Sequence, residues 1–196
     1  MKKVLVTGSS GYVANYIIKQ LARTHPNLII LGMSRSAKPR DEEVKKFSNV
    51  HFVKGDCLDS TTFSDYLEDV DGVVHTVGTL IEKKGHPKLS YVAMNKDTAV
   101  NMAGELNDWA WKQKTTKTFV YLSSEKAPPF LPEYLDTKLD AERYILSPEC
   151  ENIRPTILRP GFIYDSGHRW WSIPLKIGVD IAYQVNEKVY KNLPIS

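Results

Sequence analysis

Apolar residues recur along the chain in short runs: Val4–Val6, Leu28–Leu31, Val50–Val53, Val73–Gly78, Phe119–Leu122 and Thr156–Leu158. Such runs, rich in β-branched residues and bounded by turn signals, read as buried parallel strands. The stretches between them change period. Val13, Tyr16, Ile17, Leu21 and Ala22 fall at helical spacing, as do Phe63, Tyr66, Leu67 and Val70. Longer helices are predicted from about Tyr91 to Lys112 and from Tyr134 to Leu146, and the charged stretch Lys38–Lys46 as a short exposed helix. Residues 79–90 read as a polar loop, in which His86 stands alone as a surface side chain, and Pro128–Pro132 as a stiff turn. Strand and helix alternate throughout. That order predicts right-handed crossovers and a doubly wound α/β sheet, parallel and covered by helices on both faces.

The first of these junctions carries chemistry. Val4–Val6 stops at Thr7, and the turn Gly8-Ser9-Ser10-Gly11-Tyr12-Val13-Ala14 opens the first helix. In this G-x-x-G-x-x-A spacing, Gly8 permits a tight turn. Gly11 lets backbone approach a pyrophosphate, and Ala14 lets helix and sheet pack closely. The helix N-terminus offers N–H groups and a positive dipole end to phosphate. Strand, glycine turn and helix occur in the order a Rossmann-type dinucleotide site requires.

Further contacts are expected at the carboxyl ends of the other strands. The second strand ends in Ser34-Arg35. An acidic residue about 20 positions past the glycines would select NAD through the ribose hydroxyls. A guanidinium beside a hydroxyl suits a 2′-phosphate instead, so NADP (as NADPH) is the preferred cofactor and NAD the alternative. After the third strand, Asp56 is placed either to accept from the adenine amino group or to cap the following turn. The expected contact set is Gly8, Ser10, Gly11, Tyr12 and Val13, then Ser34 and Arg35, then Asp56 and Cys57, then Thr76, Val77 and Gly78.

The fifth strand ends in Ser123-Ser124, and Tyr134 and Lys138 lie one helical turn apart just beyond it. With ten tyrosines and 19 lysines in 196 residues, that spacing carries no weight by itself. Its position after the fifth strand does. A lysine ammonium beside a phenol would lower the phenol pKa toward proton transfer, and a serine hydroxyl would hold a substrate carbonyl or hydroxyl. Ser123, Ser124, Tyr134 and Lys138 are therefore the candidate catalytic residues.

Composition adds exclusions. A net charge of +3 without a concentrated basic run does not indicate nucleic acid. Cys57 and Cys150 are far apart and lack metal-ligand neighbours, so they read as buried thiols in a reducing compartment. No stretch approaches about 18 apolar residues, so no spanning helix is expected. Met1-Lys2-Lys3 leads straight into a strand, so a targeting peptide is absent, already removed or replaced by an internal signal. The division expected is an NAD(P)-binding domain over 1–165 and a tail over 166–196. In the tail, His168-Arg169-Trp170-Trp171 pairs cations with amphipathic rings. It is expected to cap the sheet edge with its tryptophans inward, the alternative being peripheral contact with a membrane or a partner.

Taken in order, the glycine turn, Asp56, Ser123-Ser124, Tyr134-x-x-x-Lys138 and Arg159-Pro160-Gly161 resemble the extended or atypical branch of the short-chain dehydrogenase/reductase superfamily. The resemblance covers nearly the whole chain. It implies an NAD(P)-dependent oxidoreductase or epimerase, and it adds Asn95, Lys138 and Pro160 to the cofactor set. Asn95 and Asn101 resemble that family's fourth-helix asparagines. Four stretches (YVAMNKDTAVNMA, FVYLSSEKAPPFLPEYLDTKLDAERYI, ILRPGFIYD and GMSRSAKP) resemble the family's mitochondrial ubiquinone-biosynthesis branch, itself similar to the NADPH-binding accessory subunit of respiratory complex I. This implies a mitochondrial location on the matrix side of the inner membrane (cytoplasm being the alternative), with protein partners in a membrane assembly. The 35 residues after Gly161 are short for the family's substrate domain, so a truncated C-terminal substrate region is expected. The readings compared are an NADP-binding dehydrogenase-like protein of ubiquinone metabolism, a non-catalytic accessory subunit, and a free reductase or epimerase of a small metabolite.

Overall fold

The computed structural model describes residues 1–83, 85–127, 131–161 and 163. The apolar runs form β1 (Lys3–Thr7), β2 (Ile29–Ser34), β3 (Val50–Lys54), β4 (Gly72–His75), β5 (Lys117–Leu122) and β6 (Ile153–Leu158). All pair parallel in the order β3-β2-β1-β4-β5-β6. Crossovers run outward on both sides of β1, so the chain reverses direction between β1 and β4. That reversal leaves a crevice at the carboxyl ends of the strands.

Alternation along each strand sorts side chains to two faces. Leu5, Met33, Val73, Phe119 and Tyr121 pack on one face against α2 (Thr98–Lys112) and α3 (Pro132–Ile145), through Ala99, Met102, Ala103, Leu106, Ala141 and Ile145. Val6, Ile30 and Val50 turn to the other face, against Ala14, Ile18 and Ala22 of α1 (Tyr12–Thr24) and against Val44. This is the doubly wound Rossmann-type architecture, with helices on both faces.

Three segments depart from simple periodicity. The helix predicted from Phe63 to Val70 is two short 3-10 turns, Ser60–Thr62 and Ser64–Leu67. There Asp59 accepts from the Thr61 N–H, and the Thr62 hydroxyl donates to the Asp59 carbonyl at 2.7 Å. These local bonds compete with helical ones. Only Glu42–Lys46 of the charged stretch is helical, again as a 3-10 turn. The long helix begins as a π-turn, Val92–Asp97, before α2. The boundary expected at 165/166, the Trp170-Trp171 tail and Pro128–Phe130 lie outside the described residues. Among the described residues, no helix is long and apolar enough to cross a membrane.

At the opposite end of the sheet, Lys117 is 4% exposed. Its ammonium donates to the carbonyls of Leu67, Glu68 and Val70 at 2.7, 2.8 and 2.9 Å. Burial lowers its pKa, and the charges of Asp71, Asp69 and Glu68 oppose that shift. One side chain thus closes the turn that leads into β4. Lys117→Met strands two buried acceptors and a part-buried one and is expected to cost about 2–4 kcal/mol. Urea denaturation measures it, and a loss below about 0.5 kcal/mol means water replaces the ammonium.

Candidate functional site

A cleft of about 330 Å³ opens at the carboxyl ends of the inner strands. Gly8, Ser10 and Gly11 form one wall. Gly8 has φ +75°, and a Cβ there would stand 3.0 Å from Thr76 Oγ1; at Gly11 it would stand 2.9 Å from the Gly8 carbonyl oxygen. Neither position has room for a side chain, so backbone lines the cleft there. These dimensions suit a dinucleotide pyrophosphate. Tyr12 and Val13 start α1 and do not line the cleft; the Tyr12 ring lies 4.9 Å from that of Tyr16.

Ser34 and Arg35 line the far end, joined by Ser36. Asp56 and Cys57 follow from the β3 end, and Thr76, Val77 and Gly78 from the β4 end. The Asp56 carboxylate accepts from the Leu58 N–H at 3.1 Å, so it caps a turn and borders the cleft at once. The main-chain carbonyl of Cys57 accepts from Asn101 at 3.1 Å. Burial, aided by the charge of Asp56, pushes the Cys57 thiol up to about 12. Both cysteines are buried and free.

The catalytic candidates divide. The Ser124 hydroxyl donates to the Lys126 carbonyl at 2.8 Å and lies near enough to Tyr134 to oppose the rise of its pKa. Ser123 turns elsewhere: its hydroxyl donates to Glu142, whose carboxylate also receives a forked pair from Arg159. Glu142 is 3% exposed. Burial alone would raise its pKa, but Arg159, Ser123 and the Lys138 charge outweigh it and hold the carboxyl below its usual range. Lys138 donates to the Leu122 carbonyl at 2.9 Å and sits 4.9 Å over the Tyr121 ring. Burial depresses its pKa to about 8, against the opposing pull of Glu142.

The expected lowering of the Tyr134 phenol pKa is not met. Burial raises it, with Ser124 the sole opposing influence. The Lys138 ammonium, expected to lower it, is directed to the Leu122 carbonyl and the Tyr121 ring and is not among the influences on the phenol. Asn95 is held in the π-turn by two hydrogen bonds to the Thr79 backbone, and its own carbonyl accepts from the Tyr121 hydroxyl at 2.8 Å. Gly78 is small for a definite reason: a Cβ would meet Asn95 Oδ1 and Lys138 Nζ, both at 3.0 Å. Pro160 lies outside the cleft walls, and its carbonyl accepts from Glu125.

Sequence reading missed Met33, Gly55, Met94 and Thr98 in the walls, and it missed His75 beneath them. The His75 ring is fully buried. Nδ1 lies 3.0 Å from Thr7 Oγ1, and Nε2 lies 3.4 Å from Thr98 Oγ1. Thr98 spends its proton on the Met94 carbonyl at 2.8 Å, so its oxygen accepts from His75. His75 therefore carries its proton on Nε2 and accepts from Thr7 at Nδ1. No periodic signal marks such a residue. Only Glu142 had one, since it lies four positions past Lys138 on the same helix face.

Burial, reinforced by the Lys138 charge, lowers the His75 pKa to about 3. The unfolded chain then binds a proton at His75 that the folded chain refuses. This group's contribution is intact above about pH 6.5 and is lost progressively as pH falls from there toward 3. Nitrogen-15 NMR of the ring should show the neutral Nε2–H tautomer unchanged from pH 8 to about 5. An imidazolium signal above about pH 5 would contradict it.

The chain matches the NAD dependent epimerase/dehydratase family over residues 4–164. MIOREX complex component 2 of Saccharomyces cerevisiae is 24% identical over 209 residues, covering 85% of this chain and 74% of that protein. A decarboxylating sterol-4-alpha-carboxylate 3-dehydrogenase of Candida albicans is 27% identical over 196 residues, covering 86% and 53%. The crystal structure of UDP-glucuronic acid 4-epimerase from Bacillus cereus in complex with NAD superposes with a TM-score of 0.64 at 22% identity, over 83% of this chain and 57% of that one. That last likeness speaks for the fold alone. The chain thus spans about a half to three quarters of the length of these proteins. With the parallel sheet and the glycine turn, the family match leads to one conclusion: the chain belongs to the NAD dependent epimerase/dehydratase family, among the extended short-chain dehydrogenase/reductases, a family dependent on a nicotinamide dinucleotide.

Proposed function

We propose that this chain is an NADP(H)-binding, atypical short-chain dehydrogenase-like protein, mitochondrial and linked to ubiquinone metabolism or the respiratory chain. The observation that carries the cofactor choice is the position of Arg35. It lines the cleft between Ser34 and Ser36, in the same walls as the glycine turn. A guanidinium with two hydroxyls beside it matches a 2′-phosphate in charge and in donor count. The mitochondrial link rests on the four stretches quoted above.

The dinucleotide would be held by the Gly8–Gly11 backbone at its pyrophosphate, by Ser34 and Arg35 at its adenosine end and by Thr76–Gly78 along its length. When bound, it supplies a hydride donor or acceptor. Tyr134, near Ser124, is the residue placed to move a proton; Lys138, charged below about pH 8, supplies positive charge near Gly78.

A second reading is favoured by one observation: Tyr134 sits with a raised pKa while Lys138 is occupied elsewhere. A phenol in that state is a poor proton donor or acceptor at neutral pH. It supports a cofactor-holding accessory subunit, in which the dinucleotide stabilises the fold by mass action. A relative named as a component of a complex agrees with such an assembly role.

Thermal-shift and calorimetric titrations test the cofactor reading. NADPH should stabilise the protein more than NADH. Arg35→Ala should weaken NADPH about 30-fold and NADH less than about twofold. Equal losses overturn the NADP assignment. Turnover separates the two readings. With a short-chain ubiquinone analogue as acceptor, an enzyme oxidises NADPH and Tyr134→Phe slows it by about 100-fold or more at unchanged Tm. An accessory subunit shows no oxidation to lose.

A further inference from the structure

We infer that Asn15 is a positioning residue that couples the pyrophosphate turn to the loop carrying Arg35. The inference rests on the reading that Arg35 meets the 2′-phosphate. Asn15 lies in the first turns of α1 and is 5% exposed. Its amide nitrogen donates to the carbonyls of Ser9 and Gly11, at 2.6 and 2.9 Å. Its amide oxygen accepts from the Asp41 N–H at 3.0 Å. One rigid planar group thus bonds the glycine turn and the segment after β2, and its three bonds use two donors and one acceptor.

The loop it reaches needs an anchor. Between Ser34 and Asp41 the chain turns on itself, with the Ala37 N–H on the Ser34 carbonyl at 3.2 Å and the Lys38 N–H on the Ser36 hydroxyl at 3.4 Å. Ala37 holds φ +51°, a left-handed conformation that an L side chain adopts only under constraint. Arg35 lies on the β2 side of that turn, and Asp41 closes its far side. Lys19, one helical turn beyond Asn15, steadies the same place through Asp41 at 3.5 Å and through Glu43. A shift of Asp41 moves the loop, and Arg35 with it, relative to Gly8–Gly11. Asparagine suits the post better than aspartate, because a carboxylate would repel the two carbonyls and add negative charge beside a phosphate site.

A purely structural asparagine would affect every dinucleotide alike. A coupling asparagine affects the one whose extra phosphate must be met by Arg35. Asn15→Ala should therefore weaken NADPH by about tenfold and NADH by less than about twofold, read by calorimetry. In the Arg35→Ala background the same substitution should add nothing selective. Parallel losses for both cofactors, or additive losses in the double variant, overturn the proposal. If Arg35→Ala alone leaves the NADPH/NADH ratio unchanged, the 2′-phosphate reading fails. Hydrogen exchange then decides the coupling separately. In the unsubstituted protein either dinucleotide should slow exchange at residues 8–15 and 35–41 together. In Asn15→Ala it should slow the first segment only; protection of both overturns the coupling. Should Asn15→Ala not fold, Lys19→Met loosens Asp41 without touching the turn and should shift the affinity ratio about twofold in the same direction. No shift overturns the proposal.

Discussion

Where β1 stops, no side chain can stand. Gly8 occupies a left-handed conformation against Thr76 and Val77, and the surrounding structure is arranged about that fact. The Thr7 carbonyl before it accepts from the Thr76 hydroxyl at 2.7 Å, which pins β1 to β4. The Ser9 N–H after it donates to the Met33 carbonyl at 3.0 Å, which pins the turn to β2. The Gly11 N–H returns to the Gly8 carbonyl at 2.7 Å and aims the chain into α1. Three strand ends thus converge on one glycine, and the cleft is the space their convergence leaves.

Beneath and beside that space, several buried polar groups are paired with a definite polarity, while the Ser9 hydroxyl of the turn itself has no hydrogen-bond partner. Thr7, His75, Thr98 and the Met94 carbonyl form one chain under the cleft floor. Asn15 ties the glycine turn to the segment after β2. At the outer strands, Glu142 gathers Ser123 and Arg159, and Lys138 turns to a carbonyl and a ring. An ion taken from water must recover its solvation from fixed partners, and each partner used is lost to other work. That constraint separates the roles of two adjacent serines: Ser123 serves the buried carboxylate, while Ser124 faces Tyr134. The same constraint directs the Lys138 ammonium, expected beside the Tyr134 phenol from its place after the fifth strand, to the Leu122 carbonyl and the Tyr121 ring.

The parallel sheet, the glycine turn and the Ser34-Arg35 terminus were legible in the amino-acid sequence, because each rests on neighbours in the chain: a run of β-branched residues, a residue without a Cβ, the end of a strand. The fifth and sixth strands and the helix bearing Tyr134 and Lys138 were legible for the same reason. Residues 60–67 were not, since Asp59 and Thr62 bond the backbone locally and defeat an apolar pattern that fits a helix. The π-turn at Val92–Asp97 was not, because its cause is a contact between Asn95 and Thr79, outside its own period.

The fold class and the glycine turn that opens the first helix are properties of local stretches of residues. Those follow from short-range sterics and periodicity, which act wherever the residues stand. Which buried donors meet which acceptors emerges only once the chain is packed: His75 with Thr7 and Thr98, Glu142 with Ser123 and Arg159, Asn15 with the loop after β2. Such pairings join residues far apart in the chain and depend on the one arrangement that leaves no buried charge alone, a property of the packed whole that no stretch of residues carries.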